Sequence, residues 1–259
     1  MTQKELNLQL IVAISNHDVI QMKKILKAGA DPNTRNGEGW PMLMCAAWTM
    51  NAEVTKVLLE YGADPNVLLD YSCDTVISFS AQKGDLETTA ILLEAGADPN
   101  ISGTGNYNAL MYAITCEHPE VAKLLLENGA NVNAVDDIGN TSLKWAVGSG
   151  NTDTVKMLLE YGADPNTQDQ YGNTVLMRAC RGGQAEMVKM LLDRGADPHI
   201  RNKDGDTTYQ YLIKTLDKPM ILNDDDMIKK LKYIVEVFKH DLAGREEHME
   251  NMRTEDMEL

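Results

Sequence analysis

The pentapeptide Gly-Ala-Asp-Pro-Asn occurs four times in this 259-residue chain, at Gly29–Asn33, Gly62–Asn66, Gly96–Asn100 and Gly162–Asn166. Gly129–Asn133 (Gly-Ala-Asn-Val-Asn) and Gly195–His199 (Gly-Ala-Asp-Pro-His) complete the series, and the leading glycines are 33, 34, 33, 33 and 33 residues apart. A fixed period of this length marks a chain built from copies of one supersecondary unit, each stacked on its neighbours.

A second set of columns keeps the same phase. Leu43, Ile77, Leu110, Leu143, Leu176 and Tyr209 recur once per unit, and three residues later come Ala46, Ser80, Ala113, Ala146, Ala179 and Leu212. Small side chains there let neighbouring helices approach closely. Two residues before the Leu column stand Pro41, Thr75, Asn108, Thr141, Thr174 and Thr207. Thr and Asn oxygens satisfy the free N–H groups of a helix start, so each unit is expected to begin a short helix there. A second helix follows, over Ala52–Tyr61, Leu86–Ala95, Pro119–Asn128, Thr152–Tyr161 and Ala185–Arg194. Val155, Leu158 and Leu159 show its apolar stripe at i, i+3 and i+4. The glycine then ends the helix in a left-handed conformation, and Asp-Pro-Asn turns the chain out into a finger-like hairpin. A pair of such helices cannot bury its apolar face alone, so stability requires several stacked units.

The pattern resembles the ankyrin-repeat family over about residues 5–240. The family's Thr-Pro-Leu-His-x-Ala signature is partly kept, as in Thr141-Ser142-Leu143-Lys144-Trp145-Ala146 and Thr174-Val175-Leu176-Met177-Arg178-Ala179, which lack the Pro and the His. In the family that His helps tie the fingers together. The resemblance implies an all-α solenoid of stacked helix-turn-helix repeats with projecting β-turn or hairpin fingers. One ankyrin-repeat domain is expected over 1–242: an N-terminal cap at 2–33, with Leu10, Ala13 and Ile14 facing the next repeat, five full repeats over 34–199, and a divergent C-terminal cap at 200–242. The 34-residue unit carries its extra residue within Val67–Asp74. Leu216–Asp226, with Pro219 and Asp224-Asp225-Asp226, reads as a long connection within the cap or as a lid or specificity loop. A last helix is expected over Met227–Lys239, with Ile228, Leu231, Ile234, Val235 and Phe238 on one face. The charged tail at 243–259 reads as frayed, with a partner-binding helix as its alternative.

In resembling proteins the partner lies against the concave face made by finger tips and first helices. The residue just before the repeated Ala points there: Cys45, Phe79, Tyr112, Trp145, Arg178 and Tyr211. The finger column before the N-cap adds Trp40, Cys73, Tyr107, Asn140, Asn173 and Asp206, while Tyr71 and Tyr171 fall near fingertips and Trp48 follows its first helix. Nine of the chain's 14 aromatics (Phe 2, Trp 3, Tyr 9) occupy these positions. A core of Leu, Val, Ala and Met needs few aromatics, and aromatic and Arg residues are enriched at binding hot spots. The expectation is a central anchor of Phe79, Tyr112 and Trp145, with Arg178 meeting a carboxylate or a backbone carbonyl of the partner. The competing expectation is a ladder of rings stacked on one another with no partner. The finger asparagines Asn66, Asn100, Asn133 and Asn166 resemble those hydroxylated in some eukaryotic ankyrin proteins, and a structural role suffices to explain them.

Charge and composition narrow the partner. Lys and Arg total 24 against 39 Asp and Glu, a net charge of -15. Such a surface repels phosphate backbones, which excludes nucleic acid, and favours a neutral or basic protein. The longest apolar runs, such as Leu124–Leu126, fall far short of the roughly 18 residues of a spanning helix. Met1–Asn7 has no signal-peptide character, so a soluble, cytoplasmic chain away from membranes is expected. Cys45, Cys73, Cys116 and Cys180 are too far apart for a CxxC zinc pair and read as free, mostly packed thiols.

Chemistry leaves no trace among the motifs. His17, His118, His199, His240 and His248 are scattered, and no HExxH, GxSxG or phosphate-binding loop occurs. Asp136-Asp137 and Asp224–Asp226 lack calcium-loop spacing, and Gly103-Thr104-Gly105 is a fingertip outside any βαβ unit. No catalytic residue, cofactor or metal is expected. The leading function is a protein-interaction scaffold or adaptor. Alternatives are an immunity or inhibitor protein neutralising a cognate toxin or enzyme, a secreted bacterial effector, and, from a different class, an enzyme or small-molecule sensor closed by the Leu216–Asp226 loop.

Overall fold

Most helix starts in this chain are made by side-chain oxygens, where the spacing places them. In the computed structural model, which describes residues 1–72, 74–216, 228–236 and 238, the first helices are α3 (Met42–Trp48), α5 (Val76–Lys83), α7 (Ala109–Thr115), α9 (Ser142–Ser149), α11 (Val175–Arg181) and α13 (Thr208–Leu216). Thr75, Asn108, Thr141 and Thr174 accept the backbone N–H three residues on, at 3.2, 3.0, 3.3 and 3.3 Å. Pro41 opens α3 with no side-chain hydrogen bond.

The second helices are α4 (Ala52–Glu60), α6 (Leu86–Glu94), α8 (Pro119–Glu127), α10 (Thr152–Glu160) and α12 (Ala185–Asp193). Each is one residue shorter than expected, because Tyr61, Ala95, Asn128, Tyr161 and Arg194 serve as C-caps. The N-terminal pair is α1 (Gln3–Ser15) and α2 (Val19–Lys27), with Leu10, Ala13 and Ile14 buried. Thr2 and Glu5 close a capping box at the start of α1.

The chain divides into two compact units, Met1–Asp137 and Ile138–Leu259. In the first, the first helices α3, α5 and α7 pack in series and the second helices α2, α4, α6 and α8 pack in a parallel series. In the second, α9 packs on α10 and α11, and α11 on α12 and α13. Leu43, Ile77 and Leu110, like Leu143 and Leu176, are sealed from solvent, and so are the small residues three positions on. Ser80 is a polar member of that column, and its hydroxyl accepts from Thr89 Oγ1 at 2.9 Å and donates to the Ile77 carbonyl at 3.0 Å. Tyr209 breaks its column: it is 36% exposed, while Leu212 beside it is buried. Residues 228–236 are helical, and Leu231, Ile234 and Phe238 are buried, as the expected apolar face requires. Residues 217–227 and 239–259, which hold the connection and the tail, lie outside the described residues, as does Cys73.

The fingers are tight loops. The bridges Arg35–Pro41 and Leu68–Thr75 differ by one residue in span, which places the extra residue of the long unit between them. Side chains then join one finger base to the next. Asn33 donates Nδ2–H to the Gly62 carbonyl at 3.2 Å and accepts the Asp64 N–H at 2.7 Å. Asn66 does the same with Gly96 and Asp98, Asn100 with Gly129 and Asn131, and Asn166 with Gly195 and Asp197. A planar amide carries a donor and an acceptor on one end, so Asn alone can satisfy both backbone groups. In the N-terminal helix pair two side chains divide this role. Asn7 Oδ1 accepts from Asp31 N–H, and Gln3 donates to the Gly29 carbonyl.

The histidine that ties fingers in the family is replaced at one joint by a lysine. Lys144 Nζ reaches Asp169 Oδ2 at 2.5 Å and the Asn173 carbonyl at 2.6 Å, in the finger of the following repeat. Of the equivalent residues, Met44, Met111 and Met177 are apolar and buried, while Ser78 and Gln210 bond the threonine that opens their own helix. Close approach also fixes Gly172, which has φ +76° and would place a Cβ 2.8 Å from the Lys203 nitrogen in the next finger.

Candidate protein-interaction face

One side of each first helix has no second helix behind it. Along α3, Leu43, Met44, Ala46 and Ala47 are buried while Cys45 between them is half-buried. The same holds for Phe79 on α5, Tyr112 on α7, Trp145 on α9 and Tyr211 on α13, and Arg178 on α11 is exposed. The column expected to face a partner is therefore open to solvent at every described position.

In the first unit the rings gather into two groups. Trp40, held by Asn36 across the neck of its finger (Trp40 N–H to Asn36 Oδ1, 2.9 Å), lies 6.1 Å from Trp48, 6.5 Å from Tyr71 and 5.8 Å from Phe79, centroid to centroid. Phe79 is 5.8 Å from Trp48, edge-on. Three of these pairs have the T-shaped geometry that aromatic quadrupoles favour, and Trp40–Phe79 is tilted at 41°. Trp48 is 46% and Tyr71 72% exposed. Lys83, at the end of α5, sets its ammonium 3.8 Å above the Trp48 ring. Arg35 fixes the fingers beneath this group, donating to the Gly39 and Leu68 carbonyls and pairing with Asp70 at 3.2 Å.

The second group is the Tyr107–Tyr112 pair, with centroids 5.4 Å apart. Tyr112 Oη donates to Asp74 Oδ1 at 3.2 Å. Burial, then the Asp74 carboxylate, push the Tyr112 phenol up to about 12. Tyr107 is raised by burial and by Asp136, and Cys45 by burial and by Glu38. Thr104 Oγ1 donates to the Ser72 carbonyl, and Asn106 to that of Val135, so these fingers are also stitched side by side.

In the second unit, Trp145 and Tyr211 are part-exposed and Tyr171 stands at a fingertip, with its N–H donating to Asp169 Oδ1. The Arg178 guanidinium lies directly over Gly148, where any side chain would collide with it. Of the expected three-ring anchor, Phe79 thus joins the tryptophans, Tyr112 joins Tyr107, and Trp145 belongs to the second unit. The rings neither form one continuous ladder in the first unit nor lose their exposure.

Residues that spacing did not single out include Lys83, Glu38 and Lys144, and Asp74, which directly precedes the N-cap Thr75, holds the finger position expected of Cys73. Burial draws Asp169 upward, but the Lys144 hydrogen bond and the Asn173 and Tyr171 N–H groups hold it below the usual carboxylate range. Of the described cysteines, Cys180 is buried, Cys45 intermediate and Cys116 exposed, so the expectation of mostly packed thiols holds for Cys180 alone. Cys116 sits at the C-cap of α7, where the chain turns out to solvent. Among the described residues no three His, Cys, Asp or Glu side chains converge as a metal-ligand set, and no helix is long and apolar enough to cross a membrane.

Models of ankyrin repeats match residues 10–59, 77–169 and 150–212. Over 63 residues, 24% of this chain, it is 43% identical to the mitochondrial disaggregase of Bos taurus and 40% identical to that of Homo sapiens. It is 38% identical over 61 residues to the putative ankyrin repeat protein FPV222 of fowlpox virus. These matches span only 9%, 9% and 8% of the relatives' lengths. Among solved structures, the ankyrin repeat domain of Bcl-3, a member of the IkappaB protein family, superposes with a TM-score of 0.73 at 26% identity, covering 78% of this chain and 92% of that one. Ankyrin repeats are typically interaction modules without catalytic activity, and fold alone does not assign a partner. The 33-residue period, the capped helix pairs, the asparagine-clamped fingers and these likenesses together place the chain in the ankyrin-repeat family.

Proposed function

We propose that this chain is a non-catalytic scaffold that binds a neutral or basic protein on the face formed by its finger tips and first helices. The observation that carries the proposal is the four-ring group Trp40, Trp48, Tyr71 and Phe79, in which Trp48 and Tyr71 are exposed and Trp40 and Phe79 only half-buried. Core packing would have closed over such rings, because burying an aromatic side chain is worth about 1.5–3 kcal/mol. Large rings at low conformational-entropy cost are also what hot spots are made of.

The test is partner binding by the wild type and by the Trp48→Ala/Tyr71→Ala double variant. Both side chains are substantially exposed, so the variant is expected to melt close to the wild type. A hot spot worth about 2 kcal/mol or more would lower affinity at least roughly 30-fold. Affinity retained within about threefold would overturn the proposal.

A further inference from the structure

The four-ring group has a cation of its own. Lys83 Nζ sits 3.8 Å over the Trp48 ring, although the ammonium is on a flexible stem and the residue is only part-buried. We propose that Lys83 is an internal stand-in, and that the Trp48 face of this group is a site for an arginine or lysine side chain of the partner, which takes Lys83's place. This inference rests on the interaction face proposed above and names the chemistry it recognises.

Four observations support a cationic occupant. The ring face already accepts an ammonium at contact distance, which is the quadrupole attraction expected of an indole. The surroundings are acidic: Glu38 acts on Cys45, raising it, Asp74 acts on Tyr112 in the neighbouring ring pair, and Asp70, exposed though paired with Arg35, adjoins Tyr71 in the chain. The nearby cation Arg35 is engaged, bonded to two carbonyls and to Asp70. The chain as a whole carries a net charge of -15, which draws basic segments toward it. An acidic partner would instead have to approach against Glu38, Asp70 and Asp74.

The experiment titrates the full chain with a synthetic peptide, acetyl-Gly-Arg-Gly-Arg-Gly-Arg-Gly-amide, and with its Gly-Ser counterpart, following tryptophan fluorescence and calorimetric heat. Four proteins are compared: wild type, Trp48→Leu, Lys83→Gln and the double variant. Trp48→Leu leaves every charge in place, so general attraction to the acidic surface is unchanged by it. The proposal expects the arginine peptide to bind more weakly to Trp48→Leu and about two- to fivefold more tightly to Lys83→Gln, the range that corresponds to a cation–π contact of roughly 0.5–1 kcal/mol. It further expects the Lys83→Gln gain to shrink when Trp48 is absent, because the two residues share one contact. Equal gains in both backgrounds would show only a change of net charge and would overturn the proposal, as would a loss of affinity in Lys83→Gln or equal binding of the Gly-Ser peptide. A partner that depends on Trp48 and Tyr71 yet binds Lys83→Gln more weakly would sink this inference while leaving the interaction face intact.

Discussion

Lys144 crosses from the start of one helix pair to the finger of the next and meets Asp169 there, Nζ to Oδ2 at 2.5 Å, with side chains only 4% and 11% exposed. Asp169 also accepts the N–H groups of Tyr171 and Asn173, so the carboxylate is the hub of that finger. Removing the lysine leaves a nearly buried anion without its counter-charge, which is the expensive way to break such a pair. Lys144→Met, which mimics the Met of the neighbouring repeats, is expected to destabilise by about 3 kcal/mol, read as a shift in a urea unfolding midpoint. Lys144→Met/Asp169→Asn is expected to lose less than the two single changes summed.

The same joint sets a pH dependence. The folded state holds the Asp169 carboxyl below its ordinary value, so on acidification the unfolded chain takes up this proton first. The stabilisation is therefore complete above about pH 4, where the unfolded carboxyl is ionised, and declines as pH falls through the lower folded value. Unfolding followed from pH 6 to pH 2 is expected to show a shallower acid slope in Asp169→Asn than in the wild type.

Tyr112 and Asp74 make a second checkable pair. The phenol ionises at about 12 under the combined action of burial and the carboxylate. Asp74→Asn removes the negative charge but not the burial, so the phenol is expected to fall toward 10 without reaching it. Phenolate absorbance, with Tyr112→Phe to identify the residue, measures this directly.

Asn100 joins its finger base to the next by two hydrogen bonds, of 3.1 and 2.7 Å. Both are solvent-accessible, so each is worth about 0.5–1.5 kcal/mol net. Asn100→Ala is expected to cost about 1–2 kcal/mol in total and to raise amide exchange at Asn131, whose N–H loses its acceptor.

Gly84 and His118 test packing between neighbouring repeats. Gly84 has φ +71°, and a methyl there would come within 2.5–2.8 Å of the His118 ring, whose Nε2 lies 3.2 Å from the Gln82 carbonyl. Gly84→Ala is expected to cost about 2 kcal/mol or more. Adding His118→Ala is expected to relieve the collision but not the backbone strain, leaving a cost below the sum of the two.

Local chemistry made much of this legible from sequence. An N-cap needs only an oxygen at the right residue, so Thr75, Asn108, Thr141 and Thr174 could be read from their column, and the sealed Leu43, Ile77 and Leu110 follow from the same period. The openness of the Phe79 and Tyr112 column was readable for the same reason. Ring grouping was not. Whether Phe79 meets Trp40 or Tyr112 depends on side-chain rotamers and on the one-residue-longer finger, and the period carries neither. Lys83 reaches Trp48 from a neighbouring helix, a contact with no fixed spacing. Lys144 did leave a signal, a single charge in a column otherwise holding Met44, Ser78, Met111, Met177 and Gln210. Tyr209 kept its spacing but not its burial.

The asparagine clamps have a modular consequence. Each described clamp grips only backbone atoms of the following repeat, a carbonyl and an N–H that every repeat presents alike. Such couplings are interchangeable, so whole repeats could be duplicated, deleted or transplanted without rewriting them. Lys144 is different: it needs an acid in its neighbour's finger, as the more exposed Arg35 does, but here both side chains are nearly buried. A graft that separates it from Asp169 would strand a charge, so those two repeats must travel together as one block.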